Sequence, residues 1–195
     1  MITLLTYSEI NTTAWQALVD RSSYATWFQT PEAYEFYASN PDEMTPFAYA
    51  VAEDSSLPYR LKALCVGYIT KEKSALKQFF TRRAIIIGGP LLAEDATAEE
   101  IAALLNAVKK LQRSDLQPAG RSTAKRSTGH SPIYIETRNF HDYSKWKEIF
   151  AECGFDYIPH LNFHIDTSSM ELVESRLGKN RKRDIKTSIR DGATI

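Results

Sequence analysis

The feature that most constrains the fold is a set of three β-like stretches followed by one strongly amphipathic helix. The stretches at 47–53, 61–70 and 78–87 are rich in aromatic and β-branched residues and are separated by polar turns. Thr97 and Glu100 then have the spacing of a capping box, which begins a helix. The apolar residues that follow share one helical face, namely Ile101, Leu104, Leu105, Val108 and Leu111. We therefore expect a sheet that is covered by this helix.

The rest of the chain also alternates between strand and helix signals. Strands are predicted at 2–5 and 133–137, and helices are predicted after the capping residues Asn11 and Thr30 and over 143–153. The stretch 157–166 alternates strictly between apolar and polar residues, which predicts a further strand. A last helix is predicted from about Ser168 to Arg190, weakened at Gly178, with Ile185 and Ile189 packed inward. Residues 114–132 are expected to form a surface loop.

Charge is distributed unevenly along a chain whose formal net charge is zero. Residues 1–60 carry 2 cationic and 8 acidic side chains, whereas residues 121–195 carry 13 and 10. Between Arg176 and Arg190 there are seven cations and one anion. The overall balance excludes a histone-like nucleic-acid binder, but the cationic end predicts an anionic partner or a solvated basic surface.

The length and composition are typical of a single globular domain. With 195 residues, 43% hydrophobic and 25% charged, it has the size and balance of one globular domain. The longest apolar run, 84–87, is far too short to span a membrane, and the first residues lack the basic region of a signal peptide. Cys65 and Cys153 are far apart in sequence and are expected to be apolar fillers in a reducing, cytoplasmic environment.

Three polar residues of the predicted strand 157–166 are candidate site residues. His160, Asn162 and His164 share one face of that strand, and two histidines four residues apart suggest a metal site. Residues four apart in a strand are separated by about 13 Å, whereas a Zn–N bond is about 2.1 Å, so no metal is expected. Two interpretations remain: these side chains line a substrate cleft, or they form a wet polar face of the sheet.

The cationic helix provides the strongest candidate binding site. Lys179, Arg183, Lys186 and Arg190 recur at intervals of four, three and four residues and therefore share one face. Like charges at this spacing repel one another, which an anionic partner would offset. A pyrophosphate, a nucleic-acid backbone and an acidic membrane surface are the candidate partners, and a solvated basic face is the alternative.

Two glycine-containing segments invite a phosphate-binding interpretation. Gly88-Gly89-Pro90 is not followed at once by a helix, so a turn or bulge in the sheet is expected there. Residues 117–122 approach the Q/R-x-x-G-x-G/A pattern that holds the pyrophosphate of coenzyme A, but Ser122 occupies the final position. We therefore expect no coenzyme A loop in this chain.

The order of elements resembles that of the GNAT acyltransferase superfamily, and three local segments are similar to the Fem-type aminoacyltransferases within it. Residues 27–32, WFQTPE, resemble the family's FFQ(S/T)PEW opening. Residues 87–91, IGGPL, resemble a strand-ending GGP segment. Residues 177–192 are similar to the family's KxRxxIRKAxKxG segment. The resemblance covers nearly the whole chain and implies an α/β fold with a mixed, mostly antiparallel sheet flanked by helices.

The resemblance also implies a function. Fem-type enzymes have two GNAT-like domains and transfer an amino acid from aminoacyl-tRNA to an amino group of a peptidoglycan precursor in the bacterial cytoplasm. By this comparison, residues 1–167 are the first domain, and residues 168–195 are a basic helix and the start of a strand leading to a second, missing domain. The chain alone would be inactive and would hold no cofactor. Its donor would be an aminoacyl-tRNA or an acyl-CoA, and no catalytic residue can be assigned by the resemblance.

Two alternatives remain open beside this interpretation. The chain is a non-catalytic, degenerate GNAT module that binds an anionic partner, such as tRNA or a lipid-linked precursor, through the basic helix. Otherwise it is an autonomous GNAT enzyme that uses acyl-CoA.

Overall fold

A computed structural model describes residues 2–54, 59–72, 74, 81–112 and 131–193. The chain divides into a first unit that ends at Ile158 and a second that begins at Pro159. The predicted domain boundary at 167 is not tested by this division and stays a prediction. Parts of the predicted strand 78–87 and loop 114–132, the segment 117–122 and the last two residues lie outside the described residues.

The first unit contains a six-stranded sheet in the order β1-β2-β3-β4-β6, in which β5 pairs with β3. All pairs are antiparallel except β4 with β6, which are parallel. This arrangement confirms the expected mixed, mostly antiparallel sheet. The strands are β1 Thr3–Thr6, β2 Met44–Ala52, β3 Leu61–Thr70, β4 Arg83–Gly88, β5 Leu91–Leu92 and β6 Tyr134–Asn139.

Four helices of the first unit begin close to the predicted signals. Their bounds are α1 Thr12–Arg21, α2 Pro31–Ala38, α3 Ala98–Lys109 and α4 Lys147–Glu152. The Asn11 side chain accepts a hydrogen bond from the amide of Ala14 (3.0 Å), and Thr30 accepts one from the amide of Ala33 (3.3 Å). The Thr97–Glu100 capping box is present in both directions. These local side-chain bonds satisfy amide groups that the first helical turn leaves without a partner.

Helices cover both faces of the sheet around β3, which explains why β3 is apolar along most of its length. On one face Ala63, Cys65 and Ile69 pack with the apolar stripe of α3. On the other face Leu64 and Val66 pack with residues of α1 and α2, among them Trp15, Leu18, Ala33 and Tyr37. Alternate residues of a strand point to opposite faces, so a two-sided core requires apolar residues at every position. The two cysteines are buried and free, as predicted.

The secondary structure of residues 157–190 differs from the prediction. The stretch 157–166 forms no strand, because none of the described strands pairs with it, and its apolar side chains Leu161, Phe163 and Ile165 are 67–87% exposed. The predicted helix 168–190 is two helices, α5 Met170–Arg176 and α6 Lys179–Arg190. Gly178 separates them in an extended conformation (φ −62°, ψ 150°), so its weak helix propensity interrupts the helix completely.

A small ion-pair network holds the chain just before α3. The buried Lys62 ammonium donates to Asp95 Oδ2 (2.8 Å) and lies 3.7 Å from Glu53, while Arg60 lies 3.0 Å from the same Asp95 oxygen. The pKa of the Asp95 carboxyl is lowered, first by the hydrogen bond from Lys62 and then by the charges of Lys62 and Arg60. Asp95 thereby fixes the turn from which α3 begins.

We predict that Asp95→Asn lowers the Tm at neutral pH, because Lys62 loses its charged partner. A lowered folded-state pKa contributes stability above the unfolded-state value of about 3.9 and loses it as the pH falls through the folded-state value. The Tm difference between wild type and Asp95→Asn should therefore shrink as the pH falls from about 7 to about 3, measured by calorimetry. Glu94→Gln, one residue away, is the matched control. A difference that is constant with pH would contradict the prediction.

Candidate functional site

The parallel strands β4 and β6 diverge at their carboxyl ends, and this divergence is the candidate active site. They are paired from Arg83–Tyr134 to Gly88–Asn139. Beyond Gly88 the chain leaves β6, and Leu91 and Leu92 pair with β3 instead. Ligands of sheets with parallel strands commonly bind where neighbouring strands separate at their carboxyl ends. The predicted turn or bulge at Gly88-Gly89-Pro90 is thus a change of strand partner.

Two glycines make this change of partner sterically accessible. Gly88 and Gly89 have φ values of +85° and +82°. This left-handed region is unfavourable for residues with a Cβ atom. A Cβ on Gly88 would also lie 3.0 Å from Thr26 Oγ1, and a Cβ on Gly89 would lie 2.9 Å from Tyr143 Oη. Neighbouring side chains therefore occupy the space that a larger residue would need.

Buried polar side chains hold the carbonyl groups of the glycine segment. The Tyr143 hydroxyl donates to Pro90 O (2.7 Å), and Gln29 Nε2 donates to Gly89 O (3.2 Å). Gln29 is completely buried, and its Oε1 accepts from the amide and the hydroxyl of Thr26 (2.7 Å each). These bonds satisfy carbonyl groups that would otherwise be left without a partner where the strand pairing breaks.

A second tyrosine fixes the chain just after the break. The Tyr24 hydroxyl donates to Leu92 O (3.0 Å) and accepts from Leu92 N (2.8 Å). Burial raises the pKa of Tyr24, and burial together with the neighbouring Tyr24 raises the pKa of Tyr143 well above the usual range. Both phenols are therefore neutral at physiological pH, and their hydroxyls hold backbone groups rather than accept a proton from a substrate.

His141 lies beside this cleft and was not singled out from the sequence. It follows the end of β6 by two residues, is exposed, and its ring lies 5.4 Å from that of Tyr24. Among the described residues of the first unit it is the only histidine. Histidine is the side chain that most often serves as a general base in enzymes. Its position four residues after the predicted strand 133–137 is the sequence signal that could have identified it.

The start of α3 is acidic and capped by its own side chains. Thr97 Oγ1 accepts from the Glu100 amide (3.3 Å), and the Glu100 carboxylate accepts from the Thr97 amide (2.8 Å). Glu94, Asp95 and Glu99 flank this capping box, and the segment contains no glycine. A helix N-terminus attracts phosphate through free amide groups and its positive dipole. At the start of α3 the Glu100 carboxylate already accepts from a backbone amide, and the neighbouring carboxylates repel anions. These residues are therefore poorly suited to bind the pyrophosphate of coenzyme A.

The seven site residues predicted from the sequence all lie in the second unit. His160, Asn162 and His164 are exposed in a segment without helix or strand, so a shared strand face does not form there. The structure does not test their expected role in substrate binding. In the described ranges, no three His, Cys, Asp or Glu side chains are grouped so that they could hold a metal ion.

The predicted cationic face is present on α6. Lys179, Arg183, Lys186 and Arg190 all lie within this helix and are exposed. The ion pairs Arg183–Asp184 (3.8 Å) and Arg190–Asp191 (3.2 Å) are also exposed and neutralise little of the stripe. The prediction that Ile185 and Ile189 pack inward is wrong for the described residues, because these side chains are 44% and 63% exposed. No helix in the described part of the chain is long and apolar enough to cross a bilayer.

Comparison with solved structures identifies the fold. An acetyltransferase from Trypanosoma brucei matches with a TM-score of 0.53 and 10% sequence identity, over 85% of this chain and 99% of its own. An aminoglycoside antibiotic 6′-N-acetyltransferase from Acinetobacter baumannii matches with a TM-score of 0.50 and 10% identity, over 87% of this chain and 100% of its own. Protein-family models and curated protein sequences gave no match. The chain has the fold of the GNAT acetyltransferases.

We predict that Gly89→Ala destabilises the first unit by about 1–3 kcal/mol, because alanine must adopt a left-handed conformation and also displace Tyr143 or Asn139. Unfolding in urea, followed by tryptophan fluorescence, measures this loss. Gly178→Ala is the matched control, because that glycine has φ −62° and no described atom lies within 4 Å of an added Cβ. Equal urea midpoints for the two variants would show that the break does not require glycine.

Proposed function

We propose that this chain is the first domain of an N-acyltransferase of the Fem type, which transfers an aminoacyl or acyl group to an amino group of a peptidoglycan precursor in the bacterial cytoplasm. The observation that carries the acyltransferase part is the divergence of β4 and β6 at Gly88 and Asn139, in a fold shared with two acetyltransferases. The Fem-type and cell-wall parts rest on the sequence similarities at 27–32, 87–91 and 177–192.

The acidic start of α3 supports a donor other than acyl-CoA. A pyrophosphate placed there would face Glu94 and Glu99 and would compete with the Glu100 carboxylate for the Thr97 amide, while the nearby cations Lys62 and Arg60 are already paired with Asp95. An aminoacyl ester of tRNA needs no such pyrophosphate site. We therefore favour aminoacyl-tRNA as the donor, and the chain itself holds no cofactor.

The reaction is the attack of an amine on an activated acyl carbonyl. The C–N bond forms, and the ammonium formed loses a proton to a base. The bond from the acyl carbon to the donor oxygen breaks, and that oxygen takes up the proton and leaves as a hydroxyl. His141, at the edge of the cleft, is our candidate for that base. Tyr24 and Tyr143 shape the cleft through their bonds to Leu92 and Pro90.

Exposed apolar side chains in the second unit support the proposal that another domain packs on them. Leu161, Phe163 and Met170 are 86%, 87% and 68% exposed. Large apolar groups exposed close together in sequence commonly mark an interaction surface. We propose that a second GNAT-like domain covers them and completes the substrate cleft, so that the chain alone is inactive.

The isolated chain should neither transfer an acetyl group nor be stabilised by coenzyme A. Thermal unfolding with coenzyme A and acetyl-CoA measures binding, and release of free thiol in the presence of amine acceptors measures transfer. The aminoglycoside 6′-N-acetyltransferase from Acinetobacter baumannii is the positive control. A rise in Tm or acetyl transfer by the 195-residue chain would overturn the proposed donor class or the proposed inactivity, respectively.

A second candidate function is favoured by the cationic face of α6. Six of its twelve residues are cationic and only Asp184 is acidic, so the helix carries unbalanced positive charge at its surface. In this alternative the chain is a non-catalytic module that binds tRNA or another anionic partner through that face.

Replacing Lys179, Arg183, Lys186 and Arg190 with Gln tests this alternative. If the four cations contact phosphates, tRNA affinity falls and the slope of log affinity against log salt decreases in magnitude by roughly 3. The matched control replaces four cations of the first unit with Gln, namely Arg21, Lys110, Lys145 and Lys147. Equal salt slopes for the two quadruple variants would exclude α6 as the binding surface.

A further inference from the structure

A groove of about 600 Å³ lies over one face of the sheet in the first unit, away from the start of α3. The strand register shows which residues form the floor of the groove. Tyr68 pairs with Ile85, and Ile85 pairs with Glu136, so these three residues form one row across β3, β4 and β6. Ala84 and Ile86, the neighbours of Ile85 in sequence, pack in the core on the α3 side. The floor row therefore belongs to the opposite face.

Two arginines line one side of the groove with a single carboxylate between them. Arg138 Nε donates to Glu136 Oε1 (2.6 Å), and Arg83 lies 3.8 Å from Glu136 Oε2. Both arginine side chains stay accessible, at 41% and 45% exposure. Two guanidinium groups around one carboxylate leave an excess of one positive charge. Arg83 also donates to the Tyr134 hydroxyl (3.3 Å), which helps to orient its guanidinium group.

The opposite side of the groove is acidic. Asp42 and Glu43 lie just before β2, and Glu72 lies just after β3. A hydrogen bond from the Lys71 amide to Glu43 O (2.7 Å) holds these two segments together. The Lys71 ammonium donates to Pro41 O (2.5 Å). Within the described ranges, none of the three carboxylates forms an ion pair with a cationic side chain. Among the described lining residues this side carries three carboxylates and the Lys71 ammonium, which is an excess of two negative charges.

The distance between the two charged sides follows from strand geometry. Neighbouring strands lie about 4.8 Å apart, so β2 and β4, which carries Arg83, are separated by roughly 10 Å across the sheet. Arg138 lies one strand further and pairs with Ile87, but its side chain reaches back to Glu136, next to Arg83. An extended peptide rises about 3.3–3.6 Å per residue, so the ammonium and carboxylate of a tripeptide are about 10 Å apart. In a free amino acid both groups are on one residue, and it cannot reach both sides.

We propose that this groove binds a short peptide with free ends, placing its carboxylate on the exposed parts of the Arg83 and Arg138 guanidinium groups, on the groove side of Glu136, and its ammonium among Asp42, Glu43 and Glu72. Arginine is well suited to the carboxylate, because its planar guanidinium forms two parallel hydrogen bonds. This site is separate from the proposed acyl transfer, and peptide binding requires no acyl donor.

Titration calorimetry of the whole chain with trialanine tests the proposal. Trialanine should bind, and its N-acetylated form and its C-terminal amide should each bind about tenfold or more weakly, because each has lost one charge-assisted contact. Free alanine should bind no better than the blocked peptides. Equal affinity for trialanine and both blocked forms, or no binding of trialanine at all, would overturn the proposal.

Variants then locate the site. Arg83→Gln with Arg138→Gln should weaken trialanine about tenfold or more, and its C-terminal amide much less, whereas Arg21→Gln on α1 should leave both unchanged. The blocked peptides are compared on the wild-type chain, so the test does not depend on how well the variants fold. An unchanged affinity of the double variant would place the peptide elsewhere. Because no donor is present, failure of acyl transfer does not affect either result.

Discussion

The first unit depends on one constraint, which is that the chain after β4 cannot stay paired with β6. Gly88 and Gly89 take up left-handed backbone conformations, and the two residues of β5 then bond to β3. This break costs backbone hydrogen bonds that a continuous strand would have made. Tyr24 and Gln29, between α1 and α2, and Tyr143, before α4, make hydrogen bonds to this segment instead. The cleft can therefore form because polar side chains make hydrogen bonds to backbone groups that the strand β6 no longer pairs with.

The side chains that bond to the glycine segment also connect the helices to the candidate site. Gln29 also accepts, through its main-chain carbonyl, a hydrogen bond from the buried indole of Trp15 (2.7 Å), so α1 is tied to the same segment. Tyr143 contacts the rings of Trp146 and Phe150, which anchors the glycine segment to α4. A partly satisfied polar network inside a protein is costly, whereas a satisfied one fixes a single arrangement. The position of the cleft is thus determined from both layers of helices at once.

Local signals in the sequence were sufficient for most of the first unit. Asn11, Thr30 and Thr97 cap helices through residues three positions away, so their neighbours in sequence contain all the required information. The roles of Tyr24 and Tyr143 were not predicted, because their partners lie 68 and 53 positions away. The strand predicted at 157–166 failed for a related reason. Alternation describes which faces a strand would have, but a strand forms only when another strand pairs with it.

The exposed segment around Leu161 and Phe163 has a consequence for how the protein behaves at high concentration. Its alternating apolar side chains, in a stretch that lies outside the described sheet, are suited to pairing with the same segment of another molecule. The cations of α6 repel one another between molecules and oppose that association, but salt screens them over about 10 Å at 0.1 M. A chain with a formal net charge of zero has little other repulsion to keep it dispersed. Its colloidal stability should therefore fall as ionic strength rises, the reverse of the salting-in shown by many globular proteins.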